Sequence, residues 1–154
     1  MISIFGIISV IIALISVTVI VLHNRLMLKR SPVDSYLAEL EDLVREKIES
    51  LYHESRPDSE LRALCAQCID LDLNGMMEAL PEIEVAQAEE LSPDENTGNH
   101  TISETVEALN QSIHKYNRLI TGSSPMRLMA RVLALTLENP IDYQQPYVND
   151  VSVK

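Results

Sequence analysis

The sequence predicts an all-α protein: one amino-terminal transmembrane helix followed by an antiparallel helical bundle. Three observations lead there. Residues 2–22, ISIFGIISVIIALISVTVIVL, form an unbroken uncharged run in which fifteen of twenty-one side chains are Ile, Leu, Val or Phe. Beyond it, apolar residues recur at steps of three and four, the period of a helix rather than a strand. Glycine is scarce, with four in 154 residues, and the aromatics are one Phe, five Tyr and no Trp.

The apolar run sets the frame. As a helix it spans roughly 32 Å, close to the thickness of a bilayer's hydrocarbon core. Its fifteen large apolar side chains together favour insertion by about 4–9 kcal/mol, and only a helix satisfies the backbone of an isolated span in lipid. Arg25, Lys29 and Arg30 follow the run and no charged side chain precedes it. Basic residues stay on the cytoplasmic side, so the expected topology is a single-pass protein of the cell membrane, amino end outside and carboxyl domain cytoplasmic. A cleaved signal peptide is the rival, but it calls for a basic amino end and small residues at a cut site. Here the exit reads VLHNRLMLKR. Gly6, Ser9, Ala13 and Ser16 share one face of the span, a candidate seam for self-association or for docking on a membrane complex.

The organisation expected is an anchor with its basic flank over 1–30, a helical domain over 31–138 with an acidic loop at about 89–100, and a flexible tail over 139–154. Nine basic residues face twenty-three acids after residue 30, a formal −14. That balance argues against nucleic acid, and against an anionic lipid surface as the domain's main partner.

Ser31-Pro32, with Asp34 three residues after Ser31, suits a fresh helix start, although the helix can also run on from the membrane through Pro32. Val33, Leu37, Leu40, Val44, Ile48 and Leu51 then form an amphipathic stripe to about His53. Arg56-Pro57-Asp58 breaks it, and Asp58 is the expected cap of a second helix from Ser59 with Leu61, Leu64, Cys65, Cys68, Ile69 and Leu71 inside. Asn74-Gly75 signals a turn or helix end, with resumption through Met76 and Leu80 as the alternative. SPDENTGNH, residues 92–100, has loop composition. Thr101 with Glu104 forms a capping-box pattern before the cleanest stripe, Val106, Leu109, Ile113, Tyr116 and Ile120. Gly122 should end that helix and Ser124-Pro125 start the last, which is apolar nearly all round through Leu137 until Asn139-Pro140. Such a helix is buried or touches something, so Met126, Met129, Val132 and Leu133 are candidate partner-binding residues.

Few groups invite chemistry. Cys65 and Cys68 form a C-x-x-C pair, but in mid-helix rather than at the helix start where a dipole activates a thiol. The expectation is two small buried hydrophobes; a redox or metal sensor is the alternative. His23, His53, His100 and His114 share no ligand spacing, and a zinc site would need more ligands than the cysteines provide. No Walker loop, nucleophile elbow or dinucleotide fingerprint occurs. The sequons at Asn99 and Asn110 are unused if the domain is cytoplasmic. Lys115, Arg118, Arg127 and Arg131 cluster around the last helix, as ordinary surface charge or as a contact for anionic lipid. No enzyme, cofactor, metal or small-molecule substrate is expected; the membrane and protein partners, or a second copy, are.

Two blocks resemble the LemA family. Residues 24–44 carry its N-x-L…R-x-x-V-D pattern at Asn24, Leu26, Arg30, Val33 and Asp34, with Ala38 also matching. Residues 109–133 are similar to its closing segment at Tyr116, Asn117, Leu119, Ile120, Pro125, Leu128, Met129 and Ala130. The chain departs from the family around Leu51 and at Leu133–Leu135. The resemblance implies a bacterial membrane protein with a short outer amino end and a cytoplasmic antiparallel bundle, and it supplies no activity.

Overall fold

The computed structural model describes residues 4–90 and 97–143. Among these there is no strand; five helices follow one another, α1 (Ile4–Glu54), α2 (Glu60–Cys68), α3 (Leu73–Glu90), α4 (Thr97–Gly122) and α5 (Ser124–Val132). The chain is all-α. It divides into two compact units, one holding the chain up to Ser35 with Leu109–Pro140, the other holding Tyr36–Ala108 with the residues from Ile141.

Helix α1 is continuous over 51 residues and passes through Pro32. The fresh start at Ser31 does not occur. Asp34 instead pairs with Arg30, one turn back, at 3.6 Å, and Pro32 sits on an exposed turn. There solvent can take the Leu28 carbonyl that proline leaves without a donor. Of the expected stripe, Val33, Leu40, Val44, Ile48 and Leu51 are buried, and Leu26 extends it toward the amino end.

The second helix starts one residue later than expected. Ser59, not Asp58, is its N-cap, its hydroxyl accepting from the Arg62 backbone N–H at 3.2 Å. The last turn is finished by α1: Arg45 Nη1 donates to the Ile69 carbonyl at 2.8 Å. Asn74-Gly75 ends nothing. The turn falls earlier, at Ile69–Asp70, and Asn74-Gly75 lies in the first turn of α3, where Asp72 Oδ1 accepts from the Gly75 N–H at 3.0 Å. An Asx cap at Asp72 outweighs the turn signal two residues later. Helix α3 then runs through Pro81, which is exposed, to Glu90.

Residues 91–96 of the expected acidic loop lie outside the described residues, but Thr97–His100 are already helical. Thr101 is therefore interior rather than a cap, and Glu104 pairs with His100 at 3.3 Å. All five residues of the stripe from Val106 to Ile120 are buried, and Gly122 closes α4 as expected.

Helix α5 stops at Val132, five residues before Leu137. Leu135 N–H donates to Ala130 O at 2.8 Å and Ala134 N–H to Arg131 O at 3.2 Å, the paired closure in which one residue turns left-handed. That residue is Ala134, with φ 51°, a conformation that costs an L side chain about 1 kcal/mol and glycine almost nothing. Ala134→Gly is expected to raise stability by about 0.5–1 kcal/mol, as an upward shift in the denaturation midpoint of the detergent-solubilised chain. Beyond the turn, Asn117 clamps the backbone of Glu138 from both sides, Nδ2 donating to its carbonyl at 2.7 Å and Oδ1 accepting from its N–H at 3.1 Å. Of the expected tail, residues 144–154 lie outside the described residues, while Tyr143 is hydrogen-bonded to α3.

Candidate functional site: an uncovered apolar helix and a buried polar cluster

None of residues 4–21 is buried, although nearly all are large and apolar. This stretch of α1 is long and apolar enough to cross a membrane, a property that a signal sequence shares. Its few hydroxyls are turned inward on the helix itself: Ser9 donates to Phe5 O and Ser16 to Ile12 O at 2.9 Å, and Thr18 to Leu14 O at 2.8 Å. Each therefore presents little polarity to its surroundings. Gly6, Ser9, Ala13 and Ser16 are all exposed, and nothing lies within 4 Å of a Cβ placed on Gly6.

The other sequence-expected residues separate. Met126 and Met129 are buried in their own unit, whereas Val132 and Leu133 are exposed. An amphipathic α5 explains the split, since residues three and four apart share its inner face. Cys65 and Cys68 are both buried and free. Burial, and then the neighbouring Cys68, push the Cys65 thiol from its ordinary 9.0 up to about 11; burial, then the charge of Glu82, raises Cys68. A thiol shifted so far holds about a hundredfold less thiolate near neutral pH. Both cysteines are expected to react with a disulfide reagent only after denaturation, as followed by release of its chromophore; rapid reaction in the native chain would promote the sensor reading. Among the described residues no group of three His, Cys, Asp or Glu is placed to hold a metal ion.

The structure also assembles a cluster that periodicity does not reveal. Lys47 of α1 donates to Glu84 Oε1 of α3 at 2.5 Å and to Asn99 Oδ1 of α4. Tyr143 Oη donates to the same Glu84 oxygen at 2.9 Å. The Lys47 and Glu84 side chains are 10% and 2% exposed, so this ion pair is shielded from solvent. Burial pulls the Lys47 ammonium below its usual range, opposed by Glu84. Burial, and then the Glu84 charge, pushes the Tyr143 phenol up. Four groups thus fasten three helices and the carboxyl segment within one unit. Glu84 Oε2 has no hydrogen-bond partner among the described residues, nor has the buried Tyr116 Oη, although the Arg30 guanidinium lies near the latter. The nearest sequence signal is Lys47 beside Ile48, at the border of the buried stripe; Glu84, in LPEIEV, looks like any surface acid.

An open groove runs between the Arg56–Leu61 turn and the end of α3, where Glu90 accepts from the Arg56 N–H at 2.9 Å. Its lining is mostly exposed or half-exposed, and its hydroxyl, Ser59, is engaged in capping α2, donating to the Arg56 carbonyl and accepting from the Arg62 N–H. No family model, curated protein or solved structure matches this chain.

Proposed function

We propose that the protein is a membrane-anchored, cytoplasmic helical scaffold that binds other proteins and carries out no reaction of its own. One observation carries the reading: eighteen consecutive uncovered residues of α1, apolar around the whole circumference. Leaving such a surface in water is prohibitive, whereas lipid accepts it. Arg25, Lys29 and Arg30 at its carboxyl end favour a cytoplasmic domain. The polar cluster supports a structural rather than catalytic role, since its ion pair is shielded from solvent and ties three helices and the carboxyl segment together.

We read the helices as an antiparallel bundle. Within the first unit Arg30 neighbours Tyr116, and antiparallel pairing through them brings buried Leu26 opposite Ile120 and Val33 opposite Ile113. Within the second unit, taken by itself, Lys47 meets Asn99, and antiparallel pairing there brings Leu40 opposite Val106 and Val44 opposite Ile102. A parallel pairing through Arg30 and Tyr116 would face Ile113 and Ile120 with exposed Met27 and Asp34. The LemA-like reading rests on the resemblance of residues 24–44 and 109–133, whose matching positions are structural in this chain. Leu26, Val33 and Tyr116 are core, Arg30 pairs with Asp34, and Asn117 holds the Glu138 backbone.

The test is crosslinking in native membranes followed by purification of the intact chain in detergent. A stoichiometric protein partner, or a self-assembled oligomer, is expected; recovery of a monomer alone would overturn the scaffold. Gly6→Leu with Ala13→Leu asks where the partner docks. If the stripe in the span is the seam, as for an accessory subunit of a membrane complex, the double variant loses association while its soluble domain stays folded. If the partner binds the cytoplasmic helices, association persists.

A further inference from the structure

The formal charge of −11 is not spread evenly over the two units. The unit built from the chain up to Ser35 and Leu109–Pro140 holds seven Lys and Arg against two acids, +5; the other holds five against twenty-one, −16. The acidity that argued against an anionic surface belongs to the second unit. The first contains the apolar run.

Within that first unit α5 presents two parallel rows. Leu128 and Val132, four residues apart, are 65% and 73% exposed. Arg127 and Arg131, also four apart, are exposed beside them, with Arg127 reaching the Gly122 carbonyl at 3.3 Å. The inner face, Met126, Met129 and Ala130, is already buried. The antiparallel register brings Gly122, where α4 closes, level with Asn24, two residues past the apolar run. Helix α5 begins there. An apolar row flanked by arginines, at the depth where a span leaves the hydrocarbon, is the arrangement of an interfacial helix.

We propose that α5 docks on the anionic headgroups of the bilayer that α1 crosses, with Leu128 and Val132 entering the acyl boundary and Arg127 and Arg131 contacting lipid phosphates beside Arg25 and Lys29. The proposal rests on reading α1 as a membrane span. Lipid is favoured over a protein partner because the anchor brings the surface to α5, and because no Asp or Glu occurs between Glu107 and Glu138 to weaken the attraction.

The chain has no tryptophan, so one introduced indole reports its own surroundings. The full chain carrying Leu128→Trp, or Val132→Trp as a second reporter, is placed in nanodiscs of phosphatidylcholine with phosphatidylglycerol, using lipids brominated on the acyl chain. Emission should be quenched by bromine, more than in discs of phosphatidylcholine alone. Each arginine at an anionic surface changes binding roughly fivefold, so adding Arg127→Gln and Arg131→Gln should lower the docked-to-free ratio roughly thirtyfold. Ile12→Trp in the same discs separates the two ideas. If it is quenched while L128W and V132W are not, α5 does not dock and the anchor stands; if it too escapes quenching, the anchor fails and docking with it. Blue-shifted but unquenched emission from L128W means a protein surface covers α5, and overturns the proposal.

Discussion

Lys47→Met is expected to lower the unfolding free energy by about 3–5 kcal/mol, because it leaves the Glu84 carboxylate buried without its counter-charge. The double variant Lys47→Met with Glu84→Leu should recover most of that loss, since an apolar pair of similar volume replaces an ion pair whose mutual attraction is largely offset by the cost of desolvating both charges. Denaturation of the detergent-solubilised full chain, followed by helical circular dichroism, measures both. Equal losses in the single and double variants would show that the unpaired Glu84 charge is not what destabilises the single variant. Tyr143 adds a pH signature. Its phenol is raised above the ordinary 10.0, so the neutral form is favoured in the folded chain. Its contribution is full below about pH 10 and is lost as pH rises further. Lys47 is shifted the other way, and the cost of holding it charged is relieved over the alkaline range. Tyr143→Phe therefore isolates the phenol: the variant should lose less stability between neutral and strongly alkaline pH than the parent chain.

Ile12→Arg together with Ile15→Arg should release the protein from the membrane. Each arginine near the centre of a span costs about 2.5–3.5 kcal/mol, and each lost isoleucine forfeits up to about 0.6, which together offset most or all of the gain from the apolar run. Fractionation after carbonate extraction reads the result, with the variant expected in the soluble fraction or degraded. A variant that stays in the pellet would mean that something other than the first helix retains the chain.

How much of this was legible depends on whether a residue's role is set by its neighbours in sequence or in space. The stripe from Val106 to Ile120 is set by period, and every member is buried. Leu26 joined the core although it lies in the basic flank, because α1 does not stop at Ser31-Pro32: the proline falls on an exposed turn, where water can take the carbonyl it leaves without a donor. Asn74-Gly75 misled because a turn signal competes with Asp72, and a capping carboxylate starts a helix wherever the chain allows. The Lys47–Glu84–Asn99–Tyr143 cluster lay beyond reach for another reason. Each member alone resembles a solvated residue, and only the fold brings together positions up to 96 residues apart. The charge division was hidden in the same way, since the acid-free stretch from 108 to 137 and the basic flank near 25–30 gain meaning only once they share a unit.

The unbroken length of α1 has a mechanical consequence. Within the first unit it runs without a break from the apolar stretch to Ser35, about 20 Å past Leu22 at about 1.5 Å per residue. A bilayer that thins or thickens alters the inclination of a span. If α1 is the proposed span, no loop absorbs the change, and a swing of about ten degrees displaces Ser35 by about 3 Å relative to the membrane. A helix anchored in that way would act as a lever with its fulcrum in lipid, carrying membrane thickness into the packing of its own unit.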